Sequence, residues 1–236
     1  MSDESKKIDE VANNSLYTST AALATINYSY EIFSRYRLGE GSILELGPAE
    51  GTMTERLYRD GYKPELLEGS KVFCNQLRKK FPDLEVYNKL FEDFEPKISY
   101  DTIILGHVLE HVVDPVSILR KVGTWLTNNG RIFAAVPNKR SIHRQAAVIM
   151  GLINHEGTMS AKDIHHGHRR IYDPESFRHA FAASGLYVEH FGGYWLKSLS
   201  DSQIERDWTN EMLQAFLILG ERYPDIAAEI YIIAKK

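Results

Sequence analysis

Cysteine is almost absent from this chain: Cys74 stands alone among 236 residues. A single thiol excludes an internal disulfide and any zinc site built from cysteines. No apolar run approaches the roughly 20 residues of a membrane span. The opening stretch MSDESKKIDEVANNS is too polar for the core of a secretory signal, so the expectation is a cytoplasmic protein without membrane contact. Basic residues are not in excess either, with a net charge of -4. That balance lacks the electropositive footprint of nucleic-acid binding. The dinucleotide fingerprint Gly-x-Gly-x-x-Gly is missing, and no internal repeat is visible. What remains is ordinary for a globular chain, 43% apolar and 25% charged. The length suits one large α/β domain.

The chain turns on residues 43–51, Ile-Leu-Glu-Leu-Gly-Pro-Ala-Glu-Gly. The apolar front reads as a buried strand, followed by a small-residue turn and a helix opening at Thr52. Gly47 and Gly51 admit positive φ and let a ligand approach the main chain closely. A helix beginning directly after such a turn offers free N–H groups to polar ligand atoms.

From there strands and helices alternate. Strands are expected at 43–46, 65–68, 84–87, 101–106, 131–136, 186–191 and 228–233, with helices at 52–60, 70–81, 115–126 and 173–184. Pro82 stops one helix, while Pro115 and Pro174 open two others. Asn128-Asn129-Gly130 reads as a turn before the fifth strand. This alternation implies crossover units and a mostly parallel sheet. Residues 1–14 read as mobile. Residues 16–36 read as a helix whose Tyr28 either packs or faces a ligand. Two stretches, 139–171 and 192–224, interrupt the alternation, and interruptions of that length in a compact domain are usually functional. Helix is expected within them at 146–152 and again from Ser200. The organisation is one domain over 1–236, with 1–38 as an N-terminal helical cap and two substrate-binding insertions.

Seven strands in this order, with the glycine turn after the first, resemble the class I S-adenosylmethionine-dependent methyltransferases. The resemblance covers most of 41–191 plus the last strand. It implies a Rossmann-like, doubly wound, mostly parallel seven-stranded sheet with helices on both faces, and S-adenosyl-L-methionine as cofactor. By the same resemblance, Glu45, Gly47, Pro48 and Gly51 belong to the turn that cradles the cofactor's methionine end. Glu68 ends the second strand about 20 residues past Gly47, where a carboxylate accepts both ribose hydroxyls, with Gly69 and Ser70 beside it. Leu90 and Phe91 follow the third strand, where the family surrounds adenine, although the usual acid is absent at Asn88 and Lys89. Gly106, His107 and Val108, followed by Leu109-Glu110-His111, match the fourth strand and loop of the small-molecule branch. Ala49 replaces the family's middle glycine, and its methyl is expected to be tolerated.

The expected reaction is methyl transfer to a hydroxyl of a small molecule, sugar or natural-product precursor. Positioning does most of the work in such an in-line displacement. A hydroxyl acceptor also gains from a general base, usually histidine. His166 and His168, inside the first insertion, are the candidate bases. His111 is read first as closing its loop, with catalysis as its other role. Arg169 or Arg170 would bind an anionic group of the acceptor, Tyr172 would serve either as base or in that binding, and Arg140, His143 and Arg144 add positive charge beside the same pocket. Trp195 suits a ring or sugar substrate and a core helix equally. A metal is set aside, because no carboxylate besides Asp163 stands at ligand spacing from these histidines. The expected partner is an anionic or sugar-containing small molecule, with no nucleic acid and no membrane; a homodimer is one oligomeric form left open. N-methylation of an amine by proximity is the near variant. The glycine spacing speaks against an NAD-dependent oxidoreductase. The intact set Glu45, Gly47, Gly51 and Glu68 speaks against a non-catalytic adenosyl-binding protein.

Overall fold

A computed structural model describes residues 3–14, 19–36 and 41–236, and the backbone alone for 3–6. Among the described residues seven strands form one sheet: β1 (Ile43–Leu46), β2 (Glu65–Glu68), β3 (Val86–Asn88), β4 (Tyr100–Gly106), β5 (Leu126–Pro137), β6 (Tyr187–Tyr194) and β7 (Glu229–Lys235). Their spatial order is β3-β2-β1-β4-β5-β7-β6. β1 to β5 run parallel, and β7 lies antiparallel to both β5 and β6.

Alternation along the strands builds two cores. Ile103 and Leu105 of β4 enter one and Ile104 the other; β5 divides Ile132, Ala134 and Val136 from Phe133 and Ala135 in the same way. On the first face pack α5 (Pro115–Thr124) and α8 (Pro174–Ser184), through Ile118, Leu119, Val122, Phe177 and Phe181. The second face is covered by α2 (Thr20–Tyr36), α3 (Thr52–Arg59), α9 (Asp201–Asp207) and α10 (Asn210–Gly220). α4 (Lys71–Lys80) closes a smaller cluster with β2 and β3 through Cys74, Leu77, Phe81 and Leu84. The remaining helices are α1 (Asp3–Asn13), α6 (Ile142–Ile149) and α7 (Ala161–His165). Caps set several starts. Ser70 accepts from two N–H groups of α4, Asp114 stands before Pro115 on α5, and Asp173 forms a capping box on α8, which ends at Gly185 in the left-handed region.

Several boundaries differ from expectation. β5 starts at Leu126, not after the Asn128-Asn129-Gly130 turn: Leu126 pairs with Tyr100, and a register break before Thr102 absorbs the turn residues. Residues expected to be mobile form α1, anchored where Asp9 accepts from the Ser70 hydroxyl at 2.7 Å. The second helix begins at Thr20, and the expected positions 16–18 and 37–38 lie outside the described residues. α6 starts at Ile142, and the helix expected from Ser200 divides into α9 and α10. No described helix is long and apolar enough to cross a membrane.

Candidate active site

The sheet order reverses direction between β1 and β4, and a crevice opens at the carboxyl ends of such strands. A cavity of about 860 Å³ occupies it, walled by the β1 turn, the ends of β2 and β4, the segment 90–93, α1, α2 and both insertions. Among the described residues, three non-glycine residues hold positive φ: Ala49 at 50°, His107 at 57° and Trp195 at 63°. All three line the cavity. Such backbone persists only where surrounding structure over-determines it, and it clusters at ligand sites. For Trp195 the surroundings are explicit. Its N–H donates to the Leu217 carbonyl at 3.0 Å, and a Cβ on Gly220 would stand 2.2 Å from that nitrogen.

The cofactor end is built from the turn and two buried carboxyls. Gly47 and Gly51 have φ of 61° and 76°, and a Cβ on Gly47 would press Val108 at 3.1 Å. Glu45, inside β1, accepts from Thr54 Oγ1 of α3 at 2.7 Å. Glu68 accepts from the backbone of Ser70 at 2.8 Å and of Ala49 at 3.2 Å. Burial pushes both carboxyls up to about 7; at Glu68 it outweighs the backbone donors of Ser70, Ala49 and Gly69. Each carboxylate oxygen keeps a lone pair for a ligand hydroxyl. Gly106 has open space where a Cβ would stand, so ligand can reach the end of β4. Leu90 and Phe91 line the cavity as expected, and so do Glu92 and Asp93, which supply acids where Asn88 and Lys89 offered none. Asn88 instead clamps the main chain, donating to the carbonyls of Glu68 and Gly69. A small-residue cradle, a buried carboxylate with lone pairs to spare and an apolar slot with acids at its edge fit an adenosyl cofactor.

The opposite wall carries histidines and buried acids. His107 Nδ1 lies 3.4 Å from Glu110 and 3.8 Å from Glu229. Burial opposes a charged His107, but the two carboxylates outweigh it and lift it to about 9. Burial likewise opposes ionisation of Glu110, and His107 and His111 beside it hold it at about 2. Burial raises Glu229 to about 7. It depresses His111 and His166 to about 4, and His143 to about 3, leaving all three neutral at physiological pH. The His111 and His168 rings meet edge to face at 4.7 Å between centroids, and His166 stands 6.2 Å from His168. Asp163, locked in a capping box with Ser160, contacts His168 Nδ1 at 3.2 Å.

The arginines explain how this wall is assembled. Arg169 donates from its backbone to the Glu110 carbonyl and from Nε to the His111 carbonyl at 2.7 Å. Arg170 donates to the carbonyls of Leu109, Val112 and Val113. The insertion is thereby stitched to the loop after β4, and His168 is laid against His111. Arg170 does not reach the cavity, and Arg169 and Arg144, which do, hold main-chain carbonyls. The acceptor-binding expectation is also corrected for three others. Tyr28 is buried against Tyr194 and donates to Glu221; Arg140 pairs with Glu175 at 2.8 Å on the surface; Tyr172 is buried on Phe177 and donates to the Leu109 carbonyl. Gly51 and Ser70 shape the turn and cap α4 without lining the cavity. His111, His166, His168 and Trp195 do line it. Sequence reasoning placed His143 beside this pocket, as positive charge that burial removes, and left α2 open as a ligand face, but missed Glu110 as a wall group and missed Asp201, Glu229 and the α1 face. Glu110 lay within the quoted Leu-Glu-His motif; the others carried no local signal.

Comparison with known proteins agrees with this geometry. A family model described as a methyltransferase domain matches residues 25–191. The chain is 30% identical over 166 residues to the ubiquinone biosynthesis O-methyltransferase of Aeromonas salmonicida, covering 67% of this chain and 68% of that one. Among solved structures it resembles the CcbJ methyltransferase of Streptomyces caelestis, with a TM-score of 0.68, 12% identity and 99% of both chains covered. It also resembles an S-adenosylmethionine-dependent methyltransferase of Mesorhizobium loti, with a TM-score of 0.65, 17% identity, and 89% of this chain and 98% of that one covered.

Proposed function

We propose, from the premise that this chain belongs to the S-adenosylmethionine-dependent methyltransferases, that it methylates a hydroxyl of a small molecule. The observation carrying this is the convergence of His111, His166 and His168 on the cavity wall that continues from the cofactor-facing segment Gly106–Val108. The name of the 30%-identical relative, an O-methyltransferase, supports the same reading. The cofactor supplies a methyl on a sulfonium, so the acceptor oxygen forms a C–O bond while the C–S bond breaks toward a neutral thioether. The protein holds the acceptor in line and excludes water. His111 and His168 hold the acceptor hydroxyl. His166, buried on the same wall, takes its proton and later returns it to solvent. Trp195 offers a ring face, while Glu110, Glu229 and the Lys197–Asp201 pair offer polar contacts. With the nearby arginines engaged by carbonyls and carboxylates, a neutral polyhydroxyl or phenolic acceptor fits better than an anionic one.

The test is methyl incorporation from labelled S-adenosylmethionine into a panel of phenolic and sugar acceptors, with the linkage read by mass spectrometry. His166→Ala is expected to lose about 10²–10⁴ in single-turnover rate while S-adenosylhomocysteine affinity stays within about twofold. Methyl found on nitrogen, or near-normal turnover in His111→Ala, His166→Ala and His168→Ala alike, replaces this reading with N-methylation by proximity.

A further inference from the structure

The histidine wall contains a grouping that hydroxyl binding alone does not explain. One ligating atom each from Glu110, His111 and His168 lies within 4.8 Å of the other two. Glu110 is fully buried, and neither of its carboxylate oxygens receives a hydrogen bond; His107 approaches only at ion-pair distance, 3.4 Å. A buried carboxylate left this way is costly unless something else compensates it. All three residues face the same cavity. Behind His168, Asp163 stands 3.2 Å from Nδ1, at ion-pair distance but outside hydrogen-bond geometry, so a small rotation of the ring on binding would make that bond and leave Nε2 to coordinate. Asp163 cannot swing away, because the Ser160 backbone and hydroxyl both donate to it at 2.7 Å. A carboxylate behind a ligating imidazole is the usual outer support of a metal-bound histidine.

We propose that Glu110, His111 and His168 bind a divalent transition-metal ion of the zinc type, with Asp163 orienting His168. Two imidazoles and one carboxylate select a borderline ion such as Zn²⁺ or Co²⁺ over Mg²⁺, which prefers an all-oxygen shell. Three protein ligands leave coordination open toward the cavity, as catalytic rather than structural sites do. Ligand atoms around a tetrahedral zinc stand about 3.4 Å apart, so the triangle closes by at most about an ångström and a half on binding. Torsion of the His111 and His168 side chains covers that distance. The inference deepens the hydroxyl-acceptor reading and rests on it for its purpose. His111 and His168 then hold the acceptor oxygen through the ion rather than directly; an oxygen coordinated there loses its proton more readily, His166 receives that proton, and the ionised oxygen is the nucleophile.

The ion is tested without cofactor or acceptor, so its failure and the failure of O-methylation are read separately. Protein stripped with a chelator is titrated with Zn²⁺ by calorimetry, and with Co²⁺ by visible absorption. The expected result is one ion per chain with intense Co²⁺ bands of low coordination number. His168→Ala and Glu110→Gln are expected to weaken binding at least a hundredfold, and Asp163→Asn about 10–100-fold. Loss of Glu110 disturbs a buried pair; should Glu110→Gln fail to fold by circular dichroism, His168→Ala, on the loop after α7, decides the matter. Absence of one-to-one binding, or a Co²⁺ spectrum and affinity that His168→Ala leaves unchanged, overturns the proposal.

Discussion

At the residue scale the informative groups are Glu45 and Glu68, carboxyls held at about 7 chiefly by burial. An ionised Glu68 is the better acceptor for a ribose diol. Replacing it removes a charge-assisted pair of hydrogen bonds, about 1.5–3 kcal/mol, so Glu68→Ala should weaken S-adenosylhomocysteine tenfold or more. The same groups give cofactor binding a pH dependence. Below their raised pKa values they are protonated and binding must release the proton; above, no such cost applies. With Glu68 as the group that must ionise, affinity should rise roughly tenfold from pH 6 to pH 8, and up to a hundredfold if Glu45 must ionise as well. Calorimetry in two buffers of different ionisation enthalpy would register the proton release, and a pH-independent affinity with no proton release would refute the assignment. Ala49 belongs to this scale too. Its left-handed backbone, φ 50°, directs its N–H at Glu68, so the methyl that replaces the family's glycine hydrogen is accommodated without losing the contact.

At the scale of elements, the cavity is roofed by pieces that local contacts hold only lightly. α1 reaches the body through Asp9 on Ser70, through Ile8 against Gly69, and through Val11 against Gly167. His165 ties the insertion to the same helix at the Asn14 carbonyl, 2.8 Å away. The first insertion itself places Ile149, Met150, Leu152 and Ile164 in solvent, so few apolar contacts stabilise it. Such segments sit at the low-stability end of a structure and supply its lids. Hydrogen exchange over α1 and residues 142–168 should slow when S-adenosylhomocysteine binds, while β4 and β5 stay protected throughout. Identical exchange with and without ligand would leave these elements as fixed walls. The stitched segment Arg169-Arg170 should resist exchange in either state, since its side chains close four loop carbonyls.

For the whole molecule, two sets of carboxyls pull stability in opposite directions with pH. Glu45, Glu68 and Glu229 are raised to about 7 by burial. Their stabilising effect is complete below the unfolded value near 4.3 and is lost as pH rises through 7. Asp173 is buried and Asp201 half-buried, but lysine partners, joined at Asp173 by Ser176, outweigh that burial and hold both at about 2. Their contribution is present above about pH 4 and lost as pH falls toward 2. Below about pH 6.5 the buried neutral histidines His111, His143 and His166 cost stability in turn, so the ligand-free protein should melt highest between about pH 5 and 6.5, with a lower Tm at pH 8. Saturating S-adenosylhomocysteine should narrow that difference, because it binds the ionised carboxyls better. A ligand-free Tm that does not fall from pH 5 to pH 8 would show that the raised carboxyls do not control stability.

The residues by themselves determined the sheet. Buried apolar runs, proline and aspartate caps and the glycine turn are local signals, and each acts within a few positions of itself, so the strands and most helices were legible in order. The cofactor end was legible for the same reason: Glu45, Gly47, Glu68, Leu90 and Phe91 stand in register with successive strand ends. Tertiary structure decided what local pattern does not encode. β5 extended through its apparent turn because Tyr100 was there to pair with Leu126. The basic run at 165–170 looked like an anion site, yet unpaired loop carbonyls claimed its guanidiniums. Glu110, His111 and His168 became neighbours because those same guanidiniums carry the insertion back across more than fifty residues of chain.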